Sequence, residues 1–255
     1  MNRILSVLLV LGLIPSFFFG CSGDDGASGP VGPAGSPQPI KVLFAGADTE
    51  DGLKNFIAAA HAYGGFPMGS ELEYFSIQSA SPTLATLKEY DVVVVYTWYT
   101  SSAAAAVGNV LADYVDGGGK VVMLQATFSG TYALAGGRIM TGGYSPLQPA
   151  AAAGVAGNRS ISQASLSYPL HPIFNGTDVR NLVFWSNANV SNPTLDPTAT
   201  LIALDSAGAN AIAINAEGNV MAFGVCGSTT AWDVATFPYA GILIANACLF
   251  LTGAF

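Results

Sequence analysis

The chain has 255 residues, of which 51% are hydrophobic and only 9% are charged, and its formal net charge at pH 7 is −8. This balance argues against a nucleic-acid partner, because phosphate binding requires clustered Lys and Arg. Beyond the N-terminal region, the length and the apolar content suffice for one well-buried domain of roughly 215 residues.

The first twenty residues have the layout of a secretory signal peptide. Arg3 supplies a positive charge, and an apolar stretch follows from residue 4 to residue 19. Pro15 interrupts this stretch, which is also short for a stable membrane anchor. We therefore expect residues 1–20 to be a signal peptide, with a single membrane-spanning helix as the alternative.

The end of that stretch, Phe18-Phe19-Gly20-Cys21, resembles the lipobox of bacterial lipoproteins, in which the cysteine becomes the lipidated first residue of the mature chain. The resemblance implies a palmitate-type anchor on Cys21, so that the partner of this end is a membrane. Because Ser22 rather than aspartate follows, the resemblance also implies a place in the cell envelope, at the outer membrane of a Gram-negative bacterium or in its periplasm, with the membrane leaflet left open.

Residues 21–39 are a Gly- and Pro-rich segment. Residues 26–37 read GASGPVGPAGSP, four Gly-X-Y triplets with the period of collagen. Four triplets are too few to hold a triple helix unaided, so we expect a flexible, partly extended tether. The globular domain then comprises residues 40–255.

The domain opens with an apolar strand at residues 40–46, followed by an amphipathic helix. Asp48 or Thr49 is placed to cap that helix, and the acidic run that they begin complements the helix macrodipole. Calcium binding is the weaker alternative, because the acids lack the spacing of a known calcium loop. A second strand at residues 72–77 and a short helix or turn at residues 83–90 follow.

The central stretch predicts a strand, an amphipathic helix and a second strand. Residues 91–97 are almost all β-branched, which is typical of a strand buried on both faces. Apolar residues then recur at helical spacing until Gly117–Gly119 ends the helix, and residues 120–125 form the next strand. Such a unit has parallel strands, and ligands of these sheets bind at the strands' carboxyl ends.

The rest of the chain is less regular. Residues 126–172 are rich in Gly and Pro and predict a long irregular insertion. Further strands are predicted at residues 179–185, 200–204, 209–215 and 220–225, and a buried apolar helix at residues 239–252. We therefore predict an α/β fold, a doubly wound and mostly parallel sheet of flavodoxin-like type with a few antiparallel C-terminal strands.

Four segments carry a resemblance to a known family: YDVVVVYT, NVLADYVDGGGKVVML, HPIFNG and ANACLFL. In their order they resemble the class I glutamine amidotransferase-like superfamily, and within it the ThuA-like group. Catalytic members place a cysteine nucleophile on the turn after the strand that corresponds to residues 120–125. That position is Phe128 here, with Gly130 matching a glycine of the family, so the resemblance implies a pseudoenzyme.

An enzyme remains the alternative hypothesis. His171 lies in a segment whose counterpart in the ThuA-like group lines the pocket, and it could act as a general base toward Ser129 or Thr127. Such a site would make the protein an extracytoplasmic hydrolase or carbohydrate-modifying enzyme. A structural hydrogen bond from His171 to the backbone is the competing interpretation.

Aromatic side chains supply the positive signal for a binding site. Trp98, Tyr99, Phe128 and Tyr132 follow the predicted strands at their carboxyl ends. Rings with polar tips stack on sugar faces and line small-molecule pockets. We predict that these four residues, with His171, contact a small molecule, a carbohydrate or a partner protein. Ordinary packing of loop residues is the alternative.

The histidines and cysteines are scattered without the spacing of metal ligands, so we expect no metal and no cofactor. Apart from Cys21, the cysteines are Cys226 at the end of a predicted strand and Cys248 within the last helix. Cys248 lies about 13 Å along that helix at 1.5 Å per residue, too far for a disulfide. Two buried thiols are the prediction.

Overall fold

In the computed structural model of the chain, the described residues are 37–63, 65–125, 127–128, 134, 136–149, 159–161, 171–177, 182–184, 193–226 and 238–255. The strands are β1 (Lys41–Ala47), β2 (Glu71–Ser76), β3 (Val92–Thr97), β4 (Val121–Gln125), β5 (Leu147–Gln148), β6 (Arg159–Ile161), β7 (Leu182–Phe184), β8 (Thr194–Leu195), β9 (Thr200–Leu204), β10 (Asn210–Ile214) and β11 (Val220–Cys226). The helices are α1 (Glu50–Tyr63), α2 (Leu84–Leu87), α3 (Ala104–Asp116) and α4 (Pro238–Thr252), with 3₁₀ turns at Arg138–Met140 and Pro172–Phe174.

Seven strands form the central sheet in the order β2-β1-β3-β4-β11-β10-β9. The first five are parallel, whereas β10 and β9 extend the sheet as antiparallel strands. The predicted doubly wound, mostly parallel sheet is therefore confirmed. Two small antiparallel pairs, β5 with β8 and β6 with β7, come from the region predicted to be irregular and its surroundings.

The core has two layers, one on each face of the sheet. All six residues of β3 are buried, as the β-branched run predicts. Successive residues such as Val94 and Val95 belong to opposite layers, because successive strand side chains point to opposite faces. Helices α1 and α4 pack together on the face of Val94, and α3 covers the face of Val95.

Helix α1 begins at a capped N-terminus. Thr49 Oγ1 accepts a hydrogen bond from the backbone N–H of Gly52 at 3.1 Å, and Glu50 and Asp51 occupy the first turn. Both features compensate the exposed N–H groups and the positive end of the helix. Of the two capping candidates in the sequence, Thr49 is the one that caps α1.

A segment from residue 136 to residue 148 lies against α3. The backbones touch where Gly137 meets Gly108, since a Cβ added to Gly137 would lie 2.5 Å from Gly108 Cα. The Arg138 guanidinium forms ion pairs with Asp113 and Asp116 at the end of α3. Two glycines and one arginine therefore fix the position of this segment on the helix.

One edge of the sheet is formed by β2 and carries carboxylates. Glu71 pairs with Lys41 of β1 at 2.7 Å, and Glu73 accepts a hydrogen bond from the Tyr90 hydroxyl at 2.7 Å. These exposed contacts contribute little to stability individually.

From residue 241 to residue 252, helix α4 is mostly buried, as its apolar sequence predicts. Its one interior polar residue, Asn246, is 5% exposed. The Asn246 side-chain amide donates to the backbone oxygens of Ile173 at 2.9 Å and Asn175 at 2.7 Å, which ties the 3₁₀ turn Pro172–Phe174 to the helix. Among the described helices, none is both long and apolar enough to cross a bilayer.

Candidate functional site

The candidate site lies where the connections leave the sheet on opposite faces. Strands β1 and β3 are neighbours, with Ala47 opposite Thr97. After β1 the chain enters α1 on one face, and after β3 it enters α3 on the other. Ligands of doubly wound sheets usually bind in a crevice where the connections diverge in this way, so we take the carboxyl ends of the two strands as the candidate crevice.

Asp48, the first residue after β1, is a buried carboxylate with only 4% of its surface exposed. Its Oδ1 atom accepts a hydrogen bond from Thr49 N at 2.7 Å, whereas Oδ2 is buried and makes no hydrogen bond of good geometry to a described residue, the Tyr96 hydroxyl acting on the carboxylate only as a weaker donor. Burial raises the pKa of Asp48, although the Thr49 backbone bond and the nearby Tyr96 hydroxyl counteract the rise. Only glycine fits at Gly52, where a Cβ would lie 2.6 Å from the carboxylate.

Thr97, the last residue of β3, brings a second buried polar atom to this place. The residue is 1% exposed, and its Oγ1 atom likewise lacks a hydrogen-bond partner within the described part of the chain. An unsatisfied buried polar group costs about 1–3 kcal/mol. Two such groups beside one crevice are the strongest sign of a functional site in the described residues.

The two predicted aromatic residues after β3 lie at the rim of this crevice. Trp98 is half-buried, and Tyr99 is 42% exposed. Their backbone N–H groups both donate to Ala47 O, at 3.0 and 2.8 Å. Paired N–H groups at strand ends are the usual donors to an oxyanion, and here both are already used inside the protein.

The turn after β4 holds Phe128 in the core. Its side chain is fully buried in the same apolar cluster as Met123, Leu134 and Ile139. The ring therefore fills the interior beneath the turn, at the position where the resemblance expects a nucleophile. Ser129, Gly130 and Tyr132, which were predicted beside it, lie outside the described residues.

Thr127 is equally inaccessible. It is fully buried, and its hydroxyl donates a hydrogen bond to Leu124 O at 2.6 Å. Its carbonyl oxygen accepts from Leu134 N at 2.9 Å. The Thr127 hydroxyl thus supports the turn, and it faces no substrate in this conformation.

His171 lies on the side of the sheet where the parallel strands begin, opposite their carboxyl ends. Its Nδ1 accepts a hydrogen bond from Ile173 N at 3.3 Å, and its ring packs on Phe250 with centroids 4.6 Å apart. Phe250 is near the end of α4, where Ala254 O accepts from Gln38 N just before β1. That end of α4 is therefore at the amino ends of the strands, so the structure does not bring His171 together with Thr127.

The half-buried His171 has the structural role that the sequence left open, since it caps the 3₁₀ turn and packs on a helix. Burial lowers the pKa of its imidazole. Cys248 is a free and fully buried thiol whose pKa is raised by burial, as predicted for a structural cysteine. In the described residues, no group of three or more His, Cys, Asp and Glu side chains is placed to hold a metal ion.

Sequence reasoning assigned Asp48 to a helix cap, with calcium binding as the alternative, and did not include Thr97 among the predicted ligand contacts. Asp48 follows a buried strand and precedes a helix, which is the pattern of a cap, and Thr97 ends a strand of β-branched residues, where threonine is common. The signal that could have identified them is their position directly after and at the end of the two strands that flank the reversal in strand order.

No protein-family model matches the chain, and no curated protein matches it in sequence. Solved structures of similar fold include a protein described as ThuA-like from Bacteroides uniformis, which is 15% identical with a TM-score of 0.48, over 86% of this chain and 93% of that one. A second protein described as ThuA-like, from Parabacteroides merdae, is 10% identical with a TM-score of 0.47, over 85% and 89%. A protein from Thermoplasma acidophilum that is described as part of a GMP synthase is 11% identical with a TM-score of 0.49, over 82% and 95%.

Proposed function

We propose that this chain is a lipid-anchored extracytoplasmic binding protein. Its doubly wound domain would hold a small molecule, a carbohydrate or a segment of a partner protein at the carboxyl ends of β1 and β3, without catalysing a reaction. The observation that carries this proposal is the pair of buried oxygens without a hydrogen bond of good geometry to a described residue, Asp48 Oδ2 and Thr97 Oγ1, beneath the rim formed by Trp98 and Tyr99.

The absence of catalysis is supported by the way the reactive positions are used. Phe128 fills the turn where a nucleophile is expected, and the Thr127 hydroxyl is bonded to the backbone. The N–H groups of Trp98 and Tyr99 are bonded to Ala47 O. A hydrolase that uses His171 gains no support, because a general base must lie within hydrogen-bond reach of the group it activates.

Ligand binding is tested by following the thermal unfolding of the full chain, solubilised in detergent, with a panel of sugars, amino acids and nucleosides. A ligand of the crevice should raise the Tm of the parent and should lose this effect in Trp98→Ala. Met68→Ala is the matched control, because Met68 is 97% exposed. It precedes β2 and so lies at the amino ends of the strands, away from the crevice. A ligand shift that survives Trp98→Ala would place binding elsewhere.

The anchor is a separate part of the proposal, and Cys21 lies outside the described residues. Cells expressing the chain should incorporate an alkyne-labelled palmitate into it, and Cys21→Ala should abolish the label and release the protein from membranes. Equal membrane association of Cys21→Ala and the parent would contradict lipidation and favour a spanning helix.

A further inference from the structure

The described segments that follow β1, β2 and β3 carry carboxylates and no cation. They comprise residues 48–53, 77–83 and 98–103, and none of them contains Lys or Arg. Their charged residues are Asp48, Glu50 and Asp51. Since these parallel strands end on the same side of the sheet, the three segments lie on the side of the crevice.

The N-terminus of α1 is closed to an anion as well. In many doubly wound folds the free N–H groups of such a terminus bind phosphate. Here Thr49 N donates to Asp48 Oδ1, and Gly52 N donates to Thr49 Oγ1. Glu50 and Asp51 already complement the helix dipole. Lys54, the nearest described cation on this helix, forms an ion pair with Glu50 at 2.6 Å.

The polar atoms that remain unsatisfied can accept hydrogen bonds. Asp48 Oδ2 is an acceptor when the carboxyl is ionised, and Thr97 Oγ1 can accept or donate. The candidate donors beside them, the N–H groups of Trp98 and Tyr99, are occupied by Ala47 O. The chemistry of the crevice therefore suits a group that donates hydrogen bonds.

Resting on the binding role proposed above, we propose that this crevice selects neutral or cationic polar ligands, such as polyols and amino sugars, and rejects ligands that carry phosphate or carboxylate. Asp48 acts from beneath the rim, where a protein surrounding of low dielectric lets its charge reach the Trp98 ring. Asp51 adds its negative potential at the mouth, whereas Lys54 compensates much of the charge of Glu50.

Collisional quenching of tryptophan fluorescence measures this selection without knowledge of the ligand. The probes are iodide, caesium and neutral acrylamide at low ionic strength, applied to a full-length variant in which Trp185 and Trp232 are phenylalanine. We expect the iodide-to-caesium ratio of quenching constants for Trp98 to be at least about threefold below that of free N-acetyltryptophanamide, because a surface potential of a few kT changes local ion concentrations by that factor or more. Salt should remove the difference.

Charge variants assign the effect to the crevice. Asp48→Asn and the double variant Glu50→Gln/Asp51→Asn should both raise iodide quenching. Glu217→Gln removes the same charge from the exposed turn before β11, at the amino ends of the parallel strands. It should leave the iodide-to-caesium quenching ratio unchanged. If the replacements of Trp185 and Trp232 disturb folding, the difference between the parent and Trp98→Phe gives the same quantity.

Equal quenching by iodide and caesium, or an equal response to Asp48→Asn and Glu217→Gln, would overturn the proposal. Ligand binding is read separately, from titrations with glucose, glucosamine and glucose 6-phosphate, which share one ring and differ in charge. Tightest binding of glucose 6-phosphate would refute charge selection while upholding a binding site. Selective quenching with no sugar, amino acid or nucleoside bound would uphold charge selection and count against the binding role.

Discussion

Replacing Phe128 by alanine separates a core residue from a ligand contact. The ring is fully buried, so truncation removes its contacts and leaves a cavity, which costs about 3–5 kcal/mol. For a domain of this size each kcal/mol lowers the Tm by about 2–4 °C, so the expected fall is about 6–20 °C. Phe128→Leu keeps most of the volume and should cost less than about 1.5 kcal/mol.

Urea unfolding followed by circular dichroism gives these free energies. Tyr99→Ala is the control, because Tyr99 is 42% exposed and its truncation should change stability by only about 0.5 kcal/mol. A loss below about 1 kcal/mol for Phe128→Ala, similar to that of Tyr99→Ala, would refute the reasoning. The ring would then line an open site, and the turn after β4 would be available to a ligand.

Three further predictions concern Asp48, His171 and the contact of Gly137 with α3. Burial raises the pKa of Asp48 above 3.8, so the folded chain keeps this proton to higher pH and its stability falls as the pH rises through the raised pKa. Asp48→Asn should be more stable than the parent at pH 7 and should lack this decline in urea titrations, and an unchanged pH profile would contradict the burial argument. Burial lowers the pKa of His171 below 6.5, so the free energy of unfolding should decrease as the pH falls from 6.5 through the lowered pKa. His171→Gln should flatten this part of the stability-versus-pH profile without affecting ligand binding. Gly137→Ala forces a Cβ to within 2.5 Å of the Gly108 backbone and should lower the free energy of unfolding by about 1–3 kcal/mol. Gly117→Ala is the control, because its Cβ would meet nothing closer than 3.4 Å. Equal urea unfolding midpoints for the two variants would disprove the close contact.

The parts of the fold that the sequence predicts are those that local pattern determines. The β-branched residues of β3 and the apolar stripe of α3 have periods that only a buried strand and an amphipathic helix satisfy. Strands β10 and β11 were likewise predicted, and Gly218 in the turn between them has a φ of +70°, which favours glycine. Bounds differ by a few residues, as for α2, predicted at residues 83–90 and observed at Leu84–Leu87, because helix and strand ends depend on neighbours.

The site was harder to predict because burial there depends on strand order. The sequence around Asp48 is that of a helix cap. In the structure Asp48 is instead a buried, partly unsatisfied carboxylate, because α1 and β3 cover it. His171 and Thr127 are 44 positions apart, and their separation in space follows from the direction of α4, which local pattern does not encode. Tyr144, in the segment after β4, bonds to Asp116 and Arg138 beside α3, a long-range contact that local pattern does not encode.

The acidic strand β2 has a consequence for how copies of the chain meet. An uncovered parallel sheet ends in a row of backbone groups that can recruit another sheet. Glu71, paired with Lys41, and Glu73, bonded to the Tyr90 hydroxyl, flank that row, so a second sheet pairing along it would have to bury an ion pair and a carboxylate, which disfavours such pairing. Even at high local concentration, the sheets of neighbouring copies should stay separate and should not pair edge to edge.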